Sequence, residues 1–183
     1  MDKVYQILKP VAEHDLFVSN LIMISKAVKE SSFKQLGYLG VFRNDYMVTD
    51  DSQPKLVEMN TFWWGLSAIS DKMPGFYDFM MNKYSEELQY TSGQLPTDCH
   101  NVDGIADSFK QAFELYKLKN SIPETSAKLI VAFIVDHDET SICDQKHIES
   151  ALYTKHRITC RRLTFADVYS HCELTENGKL TYK

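Results

Sequence analysis

Glycine is scarce in this sequence. The chain has 7 glycines among 183 residues, whereas an average usage of about 7 % would give roughly a dozen. They are also scattered along the chain rather than clustered. A P-loop or a dinucleotide-binding turn needs several glycines in one turn, so that backbone N–H groups can reach a phosphate. The sequence therefore excludes both kinds of glycine-rich nucleotide loop.

The chain also lacks the cysteine and charge patterns of several binding classes. Its four cysteines form no C-x-x-C pair, so reduced thiols are expected rather than a zinc site. The net charge is -5, whereas nucleic-acid-binding domains carry a positive footprint. A basic stretch between Lys155 and Arg162 could form a phosphate patch, but charges that solubilise a strand explain it better.

Long apolar runs are absent too. No run approaches the roughly 20 residues that span a bilayer, and the N-terminus has no apolar signal-peptide region. Apolar residues make up 44 % and charged residues 25 % of the chain, as in globular proteins. Since about 150 residues make a domain, we expect one compact cytosolic domain with a helical annex and no nucleic-acid or membrane partner.

The first half of the chain predicts helices around an antiparallel strand pair. Apolar side chains at helical spacing predict the core stripe of one helix, and these are Phe17, Leu21, Ile24 and Val28. Pro10 is expected to separate that helix from a short leading one. Residues 38–48 and 55–61 predict the two strands, and the Met- and aromatic-rich residues 76–81 predict a buried helix.

The second half predicts a βαβ unit. An amphipathic helix, capped by Asn101 or Asp103, precedes seven apolar residues at 129–135 that suit a strand buried on both faces. A helix and a last strand at 158–160 follow. The predicted fold class is α/β, with a small, partly parallel sheet and helices on both faces. Ligands gather at the carboxyl ends of such strands, so the loops after Asn60, Val135 and Cys160 should meet.

Polar side chains at these places suggest candidate ligand contacts. Glu58 and Asn60 share a strand face and could hold a hard cation such as Mg²⁺, although a solvated face is the simpler reading. Arg43 could bind a ligand carboxylate or form an internal ion pair with Asp45. Glu139 and Gln145 flank the loop after the buried strand, where they could meet a polar ligand or serve only capping and solvation.

Four segments in register resemble eukaryotic-type glutathione synthetase. The first is G-V-F-R-N-D-Y-M at 40–47, and the second is K-L-V-E-M-N-T at 55–61. The third is I-C-D-Q-K-H-I-E at 142–149, and the fourth is the pair Arg161–Arg162. The resemblance extends from about Leu16 to Arg162.

The resemblance implies a dimeric enzyme with an ATP-grasp fold. Such an enzyme joins γ-glutamylcysteine to glycine with ATP and Mg²⁺. By the same resemblance, residues 1–66 would be the N-terminal helix and strand-pair portion of that scaffold. Residues 67–183 would be the α/β substrate-binding domain, and the ATP-binding half would be missing.

Roles for single residues follow from the matching positions of the family. Arg43, Glu139, Ser141 and Gln145 would contact the dipeptide, although Ser141 stands where the family has asparagine. Glu58 and Asn60 would bind Mg²⁺, and Glu58 would also bring ATP close.

One motif departs from the family. Where the family has a serine-containing I-S-x-S-F loop, this chain has Phe62-Trp63-Trp64-Gly65-Leu66, as either a replacement or a deletion. Two hypotheses therefore stand: a substrate-binding portion that is inactive alone, or a non-catalytic module that binds a peptide or a second synthetase subunit.

Overall fold

The computed structural model describes residues 2–31, 37–61, 65–88, 98–123, 129–176 and 178–183. Its helices, in chain order, are α1 (Asp2–Ala12), α2 (Leu16–Glu30), α3 (Ser67–Lys83), α4 (Ser85–Leu88), α5 (Asn101–Lys119), α6 (Ile142–His156) and α7 (Phe165–His171). Its strands are β1 (Arg43–Val48), β2 (Pro54–Asn60), β3 (Ile130–Ile134), β4 (Thr159–Leu163), β5 (Cys172–Leu174) and β6 (Leu180–Tyr182). The predicted mixed α/β class is confirmed.

The chain forms two compact units. One combines the chain ends, Met1–Gln35 with His171–Lys183, and the other covers Leu36–Ser170. The first holds α1, α2 and the antiparallel pair β5–β6. The division into domains at residue 66 stays a prediction. No helix in the described part of the chain is long and apolar enough to cross a membrane.

Two expectations about the N-terminal helices are wrong. Pro10 lies inside α1, and the break comes at residues 13–15, where Asp15 caps α2 by accepting from the Val18 N–H at 3.0 Å. A proline beyond the first turn removes one backbone hydrogen bond and weakens the helix, and α1 ends two residues after Pro10. The predicted core stripe of α2 is exposed, because the half-buried residues of this helix lie on another face, which includes Val18 and Ile22.

The antiparallel strand pair is confirmed, although the first strand is shorter than predicted and the second begins and ends one residue earlier. β1 pairs with β2 so that Arg43 faces Asn60 and Asp45 faces Glu58. The register shifts between Asp45 and Tyr46, which indicates a bulge. We call this pair the hairpin; nearly all of its side chains are exposed or half-buried.

The βαβ unit is confirmed as well. β3 and β4 are parallel neighbours, and α6 connects them. The core lies where this pair meets α5 and α6, and its buried members are Ala106, Phe133, Ile148, Ala151, Leu152, Ile158 and Cys160. Burial raises the pKa of the Cys160 thiol to about 11, and all four cysteines are free.

Helices cover one face of β3–β4 rather than two. Phe133 is buried against the core, whereas the neighbouring Ala132 and Ile134 are exposed. Successive strand residues point to opposite faces, so the second face lacks a helical layer among the described residues. The expectation of burial on both faces is therefore wrong.

Helix α3 contains the predicted 76–81 segment, but that segment is not buried. Phe76 and Phe79 are about half exposed, and the buried residues of α3 are Ser67 and Ala68 at its start. α3 contacts α5 and α6, and we call these three helices with β3 and β4 the helical cluster.

Candidate functional site

A cavity of about 580 Å³ opens beside the carboxyl end of β3. Its wall is formed by Gly65, Phe109, residues 132–136, residues 138–141, Asp144 and Gln145. We call it the β3 cavity. The loops after Asn60 and Val135 meet here as predicted, because Gly65 joins the wall. The loop after Cys160 does not contribute, because β4 continues through Arg161 and Arg162 to Leu163.

Three of the predicted site residues line this cavity: Glu139, Ser141 and Gln145. Glu139 is half-buried, and its Oε1 accepts from the Ser141 N–H at 2.6 Å, just ahead of α6. Gln145 is 8 % exposed, and its Oε1 accepts no hydrogen bond from any described residue. An unpaired buried acceptor is costly, so this oxygen suits a ligand that brings an N–H or O–H donor.

The charge of the cavity wall has one sign. Its ionisable side chains are Asp136, Asp138, Glu139 and Asp144, and no lysine or arginine is found among the described residues of the wall. An acidic wall with an unpaired amide oxygen favours a ligand ammonium group over a carboxylate.

Asp144 was not identified from the sequence, although it lies at the centre of this region. It is 6 % exposed, and its carboxylate accepts from the Leu66 N–H at 2.8 Å, the Ala68 N–H at 2.7 Å and the Ser67 hydroxyl at 3.2 Å. It thereby caps α3 from α6. Asp144 lies four residues before Ile148, on the buried face of α6. This helical spacing is the sequence signal that could have predicted a buried Asp144.

A second carboxylate acts in the same way between α3 and α5. Asp71 of α3 accepts from the Asn101 N–H at 2.7 Å and the Val102 N–H at 3.0 Å. The predicted capping of α5 by Asn101 or Asp103 is wrong, since the residue at the cap is His100 and its side chain makes no capping bond.

The other predicted site residues form a group on the hairpin. Arg43 donates to both carboxylate oxygens of Asp45, at 3.1 and 3.2 Å, and lies 3.9 Å from Glu58 Oε1. The hydrogen bond from the Arg43 guanidinium is the main cause that lowers the pKa of Asp45. Side-chain hydrogen bonding between Asp45 and Glu58 is the next cause. We call Arg43, Asp45, Glu58 and Asn60 the hairpin group. The Arg43–Asp45 ion pair is the internal pair that the sequence left open as the alternative to binding a ligand carboxylate.

Two members of the hairpin group, Glu58 and Asn60, lie side by side and are hydrogen-bonded to each other. Asn60 Nδ2 donates to Glu58 Oε1 at 3.0 Å and to the Arg43 carbonyl at 3.3 Å. Among the described residues, no group of three or more His, Cys, Asp or Glu side chains is placed to hold a metal ion. Glu58 and Asn60 carry oxygens of the type that Mg²⁺ prefers, and the remaining ligands would be water and phosphate.

The site residues thus fall into two groups. None of Arg43, Glu58 or Asn60 lines the β3 cavity, and the chain between the groups runs through residues 62–64. Residues 62–64, which include Trp63 and Trp64, lie outside the described residues.

Comparison with known proteins agrees with the motifs. A model described as the eukaryotic glutathione synthase ATP-binding domain matches residues 2–181. Glutathione synthetase of Xenopus laevis is 30 % identical over 180 residues, which cover 96 % of this chain and 35 % of that protein. The chloroplastic glutathione synthetase of Solanum lycopersicum is 25 % identical over 178 residues, covering 96 % and 31 %.

A solved structure shares the fold. It is a glutathione synthetase-like effector from Globodera pallida in apo form, with a TM-score of 0.65 and 20 % identity, and the match covers 86 % of this chain and 37 % of that one. The chain spans about a third of the length of the curated relatives. Because the family model matches nearly every residue, the protein belongs to the eukaryotic glutathione synthase family.

Proposed function

We propose that this chain binds γ-glutamylcysteine as the substrate-binding part of a glutathione synthase-type ligase built on an ATP-grasp scaffold. The observation that carries the proposal is the acidic β3 cavity with the unpaired oxygen of Gln145. γ-Glutamylcysteine has an α-amino group that can donate to this oxygen. Ser141 and Glu139 line the same wall.

The hairpin group is assigned to a carboxylate of the dipeptide and to Mg²⁺ with ATP. Arg43 is assigned to a carboxylate of the dipeptide, for which its planar fork is suited. Glu58 and Asn60 are assigned to Mg²⁺, and Glu58 also to ATP. ATP belongs in the proposal because the matching family model is described as an ATP-binding domain. When bound, Mg²⁺ would neutralise negative charge on the phosphates.

The proposal concerns binding rather than turnover. The chain covers 35 % of the Xenopus laevis synthetase, so we expect no glutathione from the purified chain with ATP, Mg²⁺ and both substrates. Glutathione formation in that assay would contradict this part of the proposal.

Isothermal titration calorimetry with γ-glutamylcysteine tests the binding. Arg43→Ala removes a charge-assisted hydrogen bond, which is worth ~1.5–3 kcal/mol, or roughly tenfold to a hundredfold in affinity. Lys55→Ala is the matched control, because it removes a cation from the same hairpin outside the hairpin group. Equal losses of affinity in the two variants would show that binding depends only on the total positive charge of the hairpin and not on Arg43 itself.

A second arm of the experiment tests the cavity. Gln145→Leu should weaken γ-glutamylcysteine binding, and N-acetyl-γ-glutamylcysteine, which lacks the ammonium group, should bind weakly to the wild-type chain. If the amino group meets Gln145, the substitution should have little further effect on the acetylated ligand. Full additivity of the two changes would place the amino group elsewhere.

The second candidate function is a non-catalytic module that binds a synthetase subunit. The adjacent Trp63 and Trp64 in place of a serine loop favour it, since aromatic side chains are enriched at protein interfaces. Co-purification with a full-length synthetase, lost in a Trp63→Ser/Trp64→Ser variant, would support this module. Dipeptide binding by the chain alone would support the first function.

A further inference from the structure

We propose that Asp144 is a positioning residue that fixes the Gly65 side of the β3 cavity and thereby sets ligand affinity without contacting the ligand. Both of its carboxylate oxygens already accept hydrogen bonds from Leu66, Ser67 and Ala68. Gly65, which lines the cavity, directly precedes these three residues. The carboxylate is therefore committed to the turn.

The turn needs such an anchor because its backbone conformation is unfavourable. Leu66 has φ 75° and ψ 5°, the left-handed region that a residue with a Cβ rarely adopts. Its side chain is 58 % exposed, so side-chain packing contributes little to holding it there. The hydrogen bond from its N–H to Asp144 stabilises this conformation directly.

The charge of Asp144 matters as much as its oxygens. The cap residue of α3 makes no side-chain capping bond, and the first N–H groups of a helix favour a negative charge. An asparagine at this position keeps one acceptor and turns an NH₂ group toward a backbone N–H. Asp144→Asn should therefore release one end of the turn while hardly changing side-chain volume.

Amide hydrogen exchange measures, without any ligand, how strongly the backbone N–H groups of the turn are protected. In Asp144→Asn, we expect protection of the Leu66 and Ala68 amides to fall roughly tenfold to a hundredfold. The two tryptophans of the chain immediately precede Gly65, so their emission spectrum should also shift. Ser67→Ala removes only the 3.2 Å bond and should lower protection severalfold, which keeps the test available if Asp144→Asn does not fold.

Asp107→Asn is the matched control. The Asp107 carboxylate ties α5 to α6 through His156 at 2.7 Å and Lys155 at 3.3 Å, outside the cavity wall. This variant should lose stability without changing the protection of Leu66 and Ala68 relative to their neighbours. An equal loss of protection at the turn in both variants would overturn the proposal.

The effect on ligand affinity rests on the proposed function. Asp144→Asn should weaken γ-glutamylcysteine binding about tenfold, because the loosened turn must then be ordered on binding. Adding Leu66→Gly removes the backbone strain and should restore part of the affinity, which it could not do if Asp144 contacted the ligand.

The outcomes separate the two claims. Weaker binding with unchanged protection of the turn overturns the positioning role and leaves dipeptide binding intact. Loss of protection in Asp144→Asn, combined with no dipeptide binding by the wild-type chain, supports the anchoring of the turn and overturns the proposed function.

Discussion

The helical cluster and the hairpin hold their polar side chains in opposite ways. In the cluster, Asp144 and Gln145 are less than 10 % exposed, and Asp144 is surrounded by donors from another helix. On the hairpin, Arg43 and Asp45 are 35 % and 42 % exposed and pair mainly with each other. The first group is fixed by burial, and the second by an ion pair that water can replace.

This difference indicates how each group can serve a ligand. A buried carboxylate with three donors keeps its geometry whether or not the cavity is filled, because breaking it leaves unpaired charge. An exposed ion pair gives little net stability, so Arg43 can exchange Asp45 for a ligand carboxylate at small cost. Under the proposed function, we therefore expect a preformed cavity and a hairpin group that rearranges on binding.

The contrast predicts its largest effect for a core substitution. Leu152 is fully buried in the helical cluster, so Leu152→Ala should lower the free energy of unfolding by ~2–5 kcal/mol through lost burial and a new cavity. Leu56→Ala on the hairpin, at a residue 54 % exposed, should stay within about 0.5 kcal/mol. Urea denaturation measures both, and equal losses would remove the contrast.

A smaller effect is expected from the cap that Asp71 provides to α5. Asp71→Ala leaves two N–H groups at the start of α5 without their acceptor, which should cost ~0.5–2 kcal/mol. Asp78→Ala is the control, because Asp78 is an exposed carboxylate of the same helix. Thermal unfolding should separate the variants; a larger loss for Asp78→Ala would argue against capping between helices.

The smallest effect is expected in the hairpin group. Arg43→Gln should raise the pKa of Asp45 toward its ordinary value of 3.8, since the guanidinium is the main cause that lowers it. A lowered native pKa stabilises the fold above the unfolded pKa, and this contribution disappears as the pH falls through the native value. NMR titration of the Asp45 carboxyl carbon measures the change, while the denaturation midpoint at pH 7 should barely move. An unchanged Asp45 pKa would show that Arg43 does not control it.

Sequence periodicity predicted elements that are built from local contacts. The apolar run at 129–135, followed by a helix and a last strand, identified the parallel pair and its connecting helix, because burial of these residues occurs within one βαβ unit. The pairing of Arg43 with Asp45 was also within reach, as the two residues are two apart on one strand.

Features that depend on distant parts of the chain were missed. The stripe from Phe17 to Val28 has helical spacing, but the spacing does not say which face another element covers. The caps of α3 and α5 were missed for a similar reason. Capping patterns describe a residue just before a helix, whereas Asp144 and Asp71 reach helix starts about 76 and 30 residues away in sequence.

Capping between helices also has a consequence for the order of folding. The first turn of α3 gains its acceptor on Asp144 only when α6 has docked, and the start of α5 gains its acceptor on Asp71 only when α3 has docked. Closing such loops costs chain entropy before any hydrogen bond is gained, so these caps should form late, on the native side of the folding barrier. Substitutions at Asp71 and Asp144 are then expected to accelerate unfolding while leaving the rate of folding nearly unchanged.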